Sequence, residues 1–325
     1  MGLLVNGEWQ DTWYDTGKTG GKFVRKAAQF RERVTADGTS GFKAESGRYH
    51  LYVSYACPWA HRTLIFRALK GLENAISVSV VNPDMLDKGW TFEACDAGHF
   101  ESGDPLFGAD CLHQIYTRAL PNYTGRVTVP VLWDRERGTV VNNESAEIIR
   151  MLNSAFDAHT AVAADYYPEA LRSEIDAVNE VVYENVNNGV YRCGFATTQE
   201  AYGKAYHRLF ATLDELEARL AGQRYLAGAR ITEADWRLFT TLVRFDAVYV
   251  GHFKCNRQRI ADFPALYGYL RELYQVPGVA GTVNLEHIKR HYYFSHDTIN
   301  PTRIVPEGPR LDLQSPHGRD HLRAE

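Results

Sequence analysis

The sequence predicts an α/β domain followed by an all-α domain, on three observations. A strand-like run, Tyr49 to Tyr55, is followed by a helix-like run and by a second strand, Ile76 to Val81, and that order implies a parallel βαβ unit. Further strand-like runs appear at Val127–Trp133 and Thr139–Val141. After about residue 155 the strand signals stop, and segments of helical spacing take over.

Residues 1–48 are rich in Gly, Lys, Arg and Thr and show little periodicity, so they read as an extended N-terminal arm. The α/β domain spans 49–155. Its first helix carries Leu64, Ile65, Ala68, Leu69 and Leu72 at helical spacing. Asn82 to Gly125 is a long connection with a helix around Leu112–Leu120; long connections in compact domains are often functional. Asp134-Arg135-Glu136-Arg137-Gly138 reads as a hairpin turn, and Asn142-Asn143-Glu144-Ser145 offers caps for a helix over Ala146–Leu152. The helical domain covers 156–299, with helices expected at Pro168–Asn187, Gln199–Leu220, Glu233–Val248 and Pro264–Gln275. Thr232 caps the third of these, with Asp235 returning the bond and Ile231 packing on Trp236. The tail, 300–325, is polar with several prolines and is expected along the surface or partly disordered.

Bulk properties narrow the function classes. A length of 325 residues accommodates two cores, and 45% hydrophobic with 23% charged residues is ordinary for a soluble globular protein. A net charge of −4 gives no reason to expect nucleic acid or an anionic membrane as partner. No apolar stretch approaches a membrane span, and the first residues lack a signal peptide's charged start and apolar core. Met1-Gly2 is not read as an acylation start, because Asn6 stands where Ser or Thr is wanted. The five cysteines, Cys57, Cys95, Cys111, Cys193 and Cys255, are odd in number and widely spaced, which points to a reducing, cytoplasmic setting.

Three short stretches carry candidate chemistry. In Tyr55-Ala56-Cys57-Pro58-Trp59-Ala60-His61-Arg62, Cys57 stands at a strand-to-helix junction, where backbone N–H groups and the helix dipole favour the nucleophilic thiolate. A lone cysteine after a strand is more often a small buried residue, but the helix start and Pro58 at the first helical position reverse that preference. Ala60 takes the place of a second cysteine, so a reactive Cys57 needs an external thiol. Val129-Pro130 either marks an edge strand or, through a cis bond, turns the Val129 backbone outward to pair with an extended ligand. Glu144-Ser145 is either an ordinary cap or a helix start that holds a ligand carboxylate while Glu144 answers an ammonium.

Together these elements resemble the glutathione transferase superfamily, a thioredoxin-like glutathione-binding domain followed by an all-helical domain. Cys57–Arg62, Gly125–Asp134 and Asn142–Ser145 are similar to the glutathionyl-hydroquinone reductases, the Xi class. So are Asn187-Asn188-Gly189-Val190-Tyr191, Leu242–Tyr249 and Thr298–Thr302, which extends the resemblance over nearly the whole chain. The resemblance implies an enzyme that reduces glutathionyl-hydroquinones through a cysteine–glutathione mixed disulfide, with glutathione as co-substrate, no metal, and a homodimeric assembly. It implies Cys57 as nucleophile, Tyr191 as proton donor, and Tyr249 and Tyr292 as residues reaching toward the cysteine. It also implies Trp90, Arg126, Val127, Thr128, Val129, Glu144 and Ser145 as glutathione-binding. Each binding role has a physical basis: Arg126 offers a fork for a carboxylate, Val129 strand-like backbone pairing, Glu144 a partner for the ammonium, and Trp90 a flat apolar wall. With 19 tyrosines in the chain, residue type alone does not single out Tyr191, Tyr249 and Tyr292, and Trp90 alone reads as a core aromatic.

Three other readings compete. A conventional glutathione transferase, or a glutathione-dependent thiol transferase, shares the fold; the former needs a hydroxyl where this chain has Cys57. A non-catalytic scaffold would have an eroded ligand site, whereas Arg126, Val129, Pro130, Glu144 and Ser145 are all present. Cys95, His99, Cys111 and His113 suggest a metal site only weakly, because their surroundings are loop-like and their spacing matches no zinc module.

Overall fold

The computed structural model describes residues 2–94 and 103–323. In chain order the elements are β1 (Leu3–Val5), β2 (Glu8–Gln10), β3 (Tyr49–Val53), α1 (Pro58–Leu69), β4 (Ile76–Val80), α2 (Leu112–Ala119), β5 (Gly125–Arg126), β6 (Val131–Asp134), β7 (Thr139–Asn142) and α3 (Ser145–Ser154). They are followed by α4 (Arg172–Val182), α5 (Asn188–Gly194), α6 (Gln199–Gly222), α7 (Glu233–Arg244), α8 (Pro264–Tyr274) and α9 (Leu285–Ser295). The chain forms two compact units. The first comprises the chain up to Trp13, Lys26–Ala164 and Gly281–Ser295; the second comprises Tyr14–Arg25, Asp165–Ala280 and the chain from His296.

The first unit is built on a mixed sheet of order β4-β3-β6-β7. β3 runs parallel to β4, with Leu51 opposite Val78, and antiparallel to β6, with Leu51 opposite Leu132. Every residue of β3 is buried, as expected of a strand covered on both faces. The expected turn after β6 is present. Asp134, fully buried, accepts backbone N–H bonds from Glu136 (2.8 Å) and Arg137 (3.2 Å), and Gly138 takes the positive φ of 61° that the reversal requires. Arg48 clamps the same carboxylate through Nε (3.0 Å) and Nη2 (2.6 Å).

The start of the arm is more ordered than the extended segment expected of it. β1 and β2 form a hairpin closed by Asn6 (φ 50°) and Gly7 (φ 83°), the Asn-Gly pair that a tight two-residue turn favours, and β1 also pairs with β5. α9 was not anticipated either. Its signal is Asn284, whose side chain accepts the His287 N–H at 2.9 Å, followed by Leu285, Ile288 and Tyr292 at helical spacing.

The second unit is helical. The segment expected over Pro168–Asn187 continues as one run through α4, a π-helical turn over Tyr183–Asn187, and α5. Asn-Asn-Gly reads as a break, yet the Asn187 side chain donates to the Arg237 carbonyl (3.1 Å) and to Thr241 Oγ1 (2.7 Å), so tertiary partners carry the helix through. α7 starts at the expected capping box, with Asp235 Oδ2 accepting the Thr232 N–H at 2.7 Å, and ends in a second π-helical turn over Phe245–Tyr249. The tail is pinned by Arg319, which is buried and donates to Glu272 and to the carbonyls of Leu220, Gln223 and Arg224. Among the described residues no helix is long and apolar enough to cross a membrane.

Candidate active site

The first unit brings the start of α1, the segment before β6 and the start of α3 into one hydrogen-bonded set. Cys57 is the N-cap of α1: its carbonyl accepts the His61 N–H at 3.0 Å, Pro58 occupies the first helical position, and its side chain makes no capping bond. The residue is half-buried, and its Sγ lies 3.6 Å from the Val129 carbonyl oxygen, to which it donates. The Val129–Pro130 bond is cis. One turn along α1, the buried Arg62 guanidinium stacks 4.6 Å over the Trp59 ring and donates from Nη1 to Ser145 Oγ at 3.3 Å. That bond ties the second turn of α1 to the first residue of α3.

Glu144 is itself the N-cap of α3, and Ser145 opens the helix. Glu144 Oε1 accepts the Ala146 N–H at 3.1 Å, and the Glu144 N–H donates to Asn142 Oδ1 at 2.7 Å. Val127 and Val129 are buried, while Thr128 between them is half-buried. Arg126 lies on β5 and donates from Nη1 to the Thr12 carbonyl, so its guanidinium engages the N-terminal segment. Trp90 is buried and stacks on His291 of α9 (ring centroids 4.8 Å apart, planes 22°). The His291 ring in turn meets Tyr292 edge-on at 5.3 Å, so both Trp90 and Tyr292 belong to the first unit.

Tyr191 and Tyr249 belong to the second unit, where their rings are 6.3 Å apart. Phe253 joins them, stacked on Tyr249 at 5.4 Å and edge-on to Tyr191 at 5.5 Å. Arg25 lies over the Tyr191 ring at 5.2 Å. Tyr249 closes one π-helical turn, and Tyr191 follows the other by one turn of helix. Such turns are rare and occur frequently at functional sites, a marker independent of residue type.

The remaining described cysteines contrast with Cys57. Cys111, Cys193 and Cys255 are buried thiols. Burial pushes the Cys111 thiol up, and burial together with the adjoining Cys193 thiol does the same to Cys255, so both stay protonated near neutrality. Cys95 and His99 lie outside the described residues. Cys111 opens α2, its N–H donating to Gln114 Oε1 at 3.0 Å, and His113 stacks on Trp9 at 4.9 Å. Among the described residues no group of three or more His, Cys, Asp or Glu side chains is placed to hold a metal ion.

Comparison with known proteins follows the same division. Residues 56–155 match the family described as glutathione S-transferase, N-terminal domain, and residues 199–272 match glutathione S-transferase, C-terminal domain. The chain is 60% identical to glutathionyl-hydroquinone reductase YqjG of Escherichia coli (strain K12), over 98% of this chain and 99% of that one. It is 58% identical to glutathionyl-hydroquinone reductase PcpF of Sphingobium chlorophenolicum, over 96% and 98%. Its structure resembles that of glutathione-bound YqjG (TM-score 0.89, 56% identity, 98% and 99% coverage). It also resembles the Xi class transferase of Natrialba magadii (TM-score 0.92, 50% identity, 100% and 98% coverage). This chain belongs to the Xi class of the glutathione transferase superfamily.

In this Xi-class chain, the candidate binding residues of the first unit are joined by side chains to which the sequence assigned no role. Arg62 bridges to Ser145, Asn142 holds the Glu144 N–H, and Tyr116 on α2 bonds both Thr128 and Asn143. Arg62 stood within the Cys57 motif, and its helical position one turn past the cysteine was a usable signal. Tyr116 carried none, because its partners are 12 and 27 residues away in sequence.

Proposed function

We propose that this chain is a glutathionyl-hydroquinone reductase, converting glutathionyl-hydroquinones to hydroquinones with release of glutathione disulfide. The observation that carries the reading is the Cys57 sulfur at the start of α1, 3.6 Å from the Val129 carbonyl oxygen. It sets a candidate nucleophile beside the backbone that pairs with the cysteinyl part of an extended glutathione. The two reductases described above support the same activity.

In this scheme Cys57 thiolate attacks the glutathione sulfur of the aryl thioether. The sulfur–carbon bond breaks, a Cys57–glutathione disulfide forms, and the aryl carbon leaves with the bonding pair. That carbon must collect a proton. The keto tautomer makes it enolate-like, and the Tyr191 hydroxyl delivers the proton, help worth roughly 10²–10⁴-fold. A second glutathione thiolate attacks the mixed disulfide, frees Cys57 and departs as glutathione disulfide. Glu144 and Ser145 receive the γ-glutamyl end, Arg126 a carboxylate, Val127–Val129 the peptide backbone, and Trp90 an apolar wall. Tyr249 and Tyr292 support the thiolate. The same reading makes the protein a cytoplasmic homodimer, which light scattering of the purified chain checks for the assembly.

The test is a steady-state assay of a glutathionyl-hydroquinone with glutathione, following glutathione disulfide, with intact-mass detection of one glutathione on Cys57. Turnover with no adduct on Cys57 at any stage overturns the mechanism. Absence of turnover with every glutathionyl-hydroquinone tried, alongside conjugation of glutathione to electrophiles, overturns the activity in favour of a conventional transferase.

A further inference from the structure

Tyr116 is fully buried on α2, and its hydroxyl is saturated. It donates to the Thr128 carbonyl at 2.8 Å, and accepts from the Thr128 N–H at 3.3 Å and from Asn143 Nδ2 at 3.1 Å. A phenol has one proton to give and two lone pairs to accept with, so one oxygen takes its full complement from two separate segments. Those segments are the residue preceding Val129 and the residue preceding Glu144. The far side of Asn143 is also held. Its N–H donates to the Phe30 carbonyl at 3.1 Å, and its Oδ1 accepts the Phe30 N–H at 3.2 Å. Asn142 then fixes the Glu144 N–H at 2.7 Å, and the Phe30 ring meets Tyr116 edge-on at 5.9 Å. The chain from Thr128 through Tyr116 and Asn143 to Glu144 is continuous and largely sequestered from water, where each bond is costly to leave unmade.

We infer that Tyr116 is a positioning residue that sets the distance between the Val129 backbone and the Glu144–Ser145 helix start, and so makes the site specific for a thiol tripeptide carrying a γ-glutamyl end. This rests on the glutathione-binding reading above and deepens it. A ligand that touches only the Val129 segment is indifferent to that distance. A ligand that spans both segments pays for any slack between them. Tyr116 touches no reacting atom in this assignment; it acts through Thr128 and Asn143.

The experiment compares Tyr116→Phe with the unmodified protein on two thioethers of the same hydroquinone, one carrying glutathione and one carrying cysteinylglycine, which lacks the γ-glutamyl end. Single-turnover kcat/KM is measured for each, with the melting temperature of both proteins and calorimetric titration of glutathione. The expected result is a roughly tenfold fall in kcat/KM for the glutathionyl compound, carried by KM, with the cysteinylglycinyl compound unchanged. Asn143→Ala should narrow the preference to the same extent, and the double variant should add little to either. An equal fall for both compounds, or none for either, overturns the inference; the former marks Tyr116 as a general stability residue. An unmodified protein that neither binds glutathione nor turns over either thioether indicts the proposed function instead, so the two failures are distinguishable.

Discussion

In the first unit, backbone and side chains of the candidate binding segments converge on hydrogen bonds: Thr128 and Asn143 on one tyrosine oxygen, Ser145 on Arg62, Glu144 on Asn142. In the second, Tyr191 and Tyr249 are held by rings, with Phe23, Phe195 and Phe253 around Tyr191 and Phe245 and Phe253 around Tyr249. The contrast fits what the proposed function asks of each surface. An extended peptide with charged ends is read by directional bonds, whose positions tolerate little error. A flat hydroquinone is read by aromatic walls, which supply area without strict direction. The two therefore differ in what surrounds a tyrosine: in the web its hydroxyl joins two segments, and in the cluster its ring packs among other rings.

The largest effect expected is at the nucleophile. Cys57→Ala should lower reductase turnover by roughly 10³-fold or more while glutathione affinity by calorimetry stays within a few-fold. Full turnover would remove Cys57 from the chemistry. Next is Tyr191→Phe, which keeps the ring and its packing. It should slow single turnover by roughly 10²–10⁴-fold with little change in melting temperature, and an unchanged rate would make the cluster a wall and nothing more.

Two stability measurements sharpen the comparison further. Arg319→Met leaves Glu272 paired with Arg224 and Tyr225 but removes the donor to the carbonyls of Leu220, Gln223 and Arg224, so it should cost about 1–3 kcal/mol in urea unfolding. Arg31→Ala, which removes the half-exposed partner of Glu147, should cost under about 1 kcal/mol.

His50 supplies the pH test of the first unit. Its ring is buried between Ser77 Oγ (2.6 Å) and Ser79 Oγ (3.0 Å), and burial depresses its pKa from 6.5 to about 4. The unfolded chain therefore binds a proton that the folded chain refuses. The stability linked to His50 is fully present above pH 6.5 and is lost as pH falls from 6.5 toward 4, up to roughly 3 kcal/mol. His50→Gln should flatten that acid limb in a pH series of unfolding midpoints. A limb of unchanged slope would assign it to other groups.

Much of this was legible because the relevant forces act within a few residues. Cys57-Pro58 marks a helix start through the proline's missing N–H and the cap geometry, Asp134 to Gly138 closes its own turn, and Thr232 and Asp235 cap each other three residues apart. The Asn6-Gly7 hairpin is equally local, but its strands are three residues each, too short to leave a hydrophobic period. The glutathione-binding motifs were readable as motifs, while the bonds that connect them were not.

What the amino-acid order determined alone is the succession of α/β and helical segments, the cysteine at a helix start, the capping boxes and the turn residues, since each depends on neighbours within about one turn. Only the tertiary structure decided that Tyr116 joins Thr128 to Asn143, that Arg62 reaches Ser145, that Asn187 carries a helix through Asn-Asn-Gly, and that Gly281–Ser295 rejoins the first unit. The physical reason is that a hydrogen bond between residues tens or hundreds of positions apart leaves no period or spacing in the sequence. It exists only once packing has brought donor and acceptor together and excluded the water that would otherwise satisfy both.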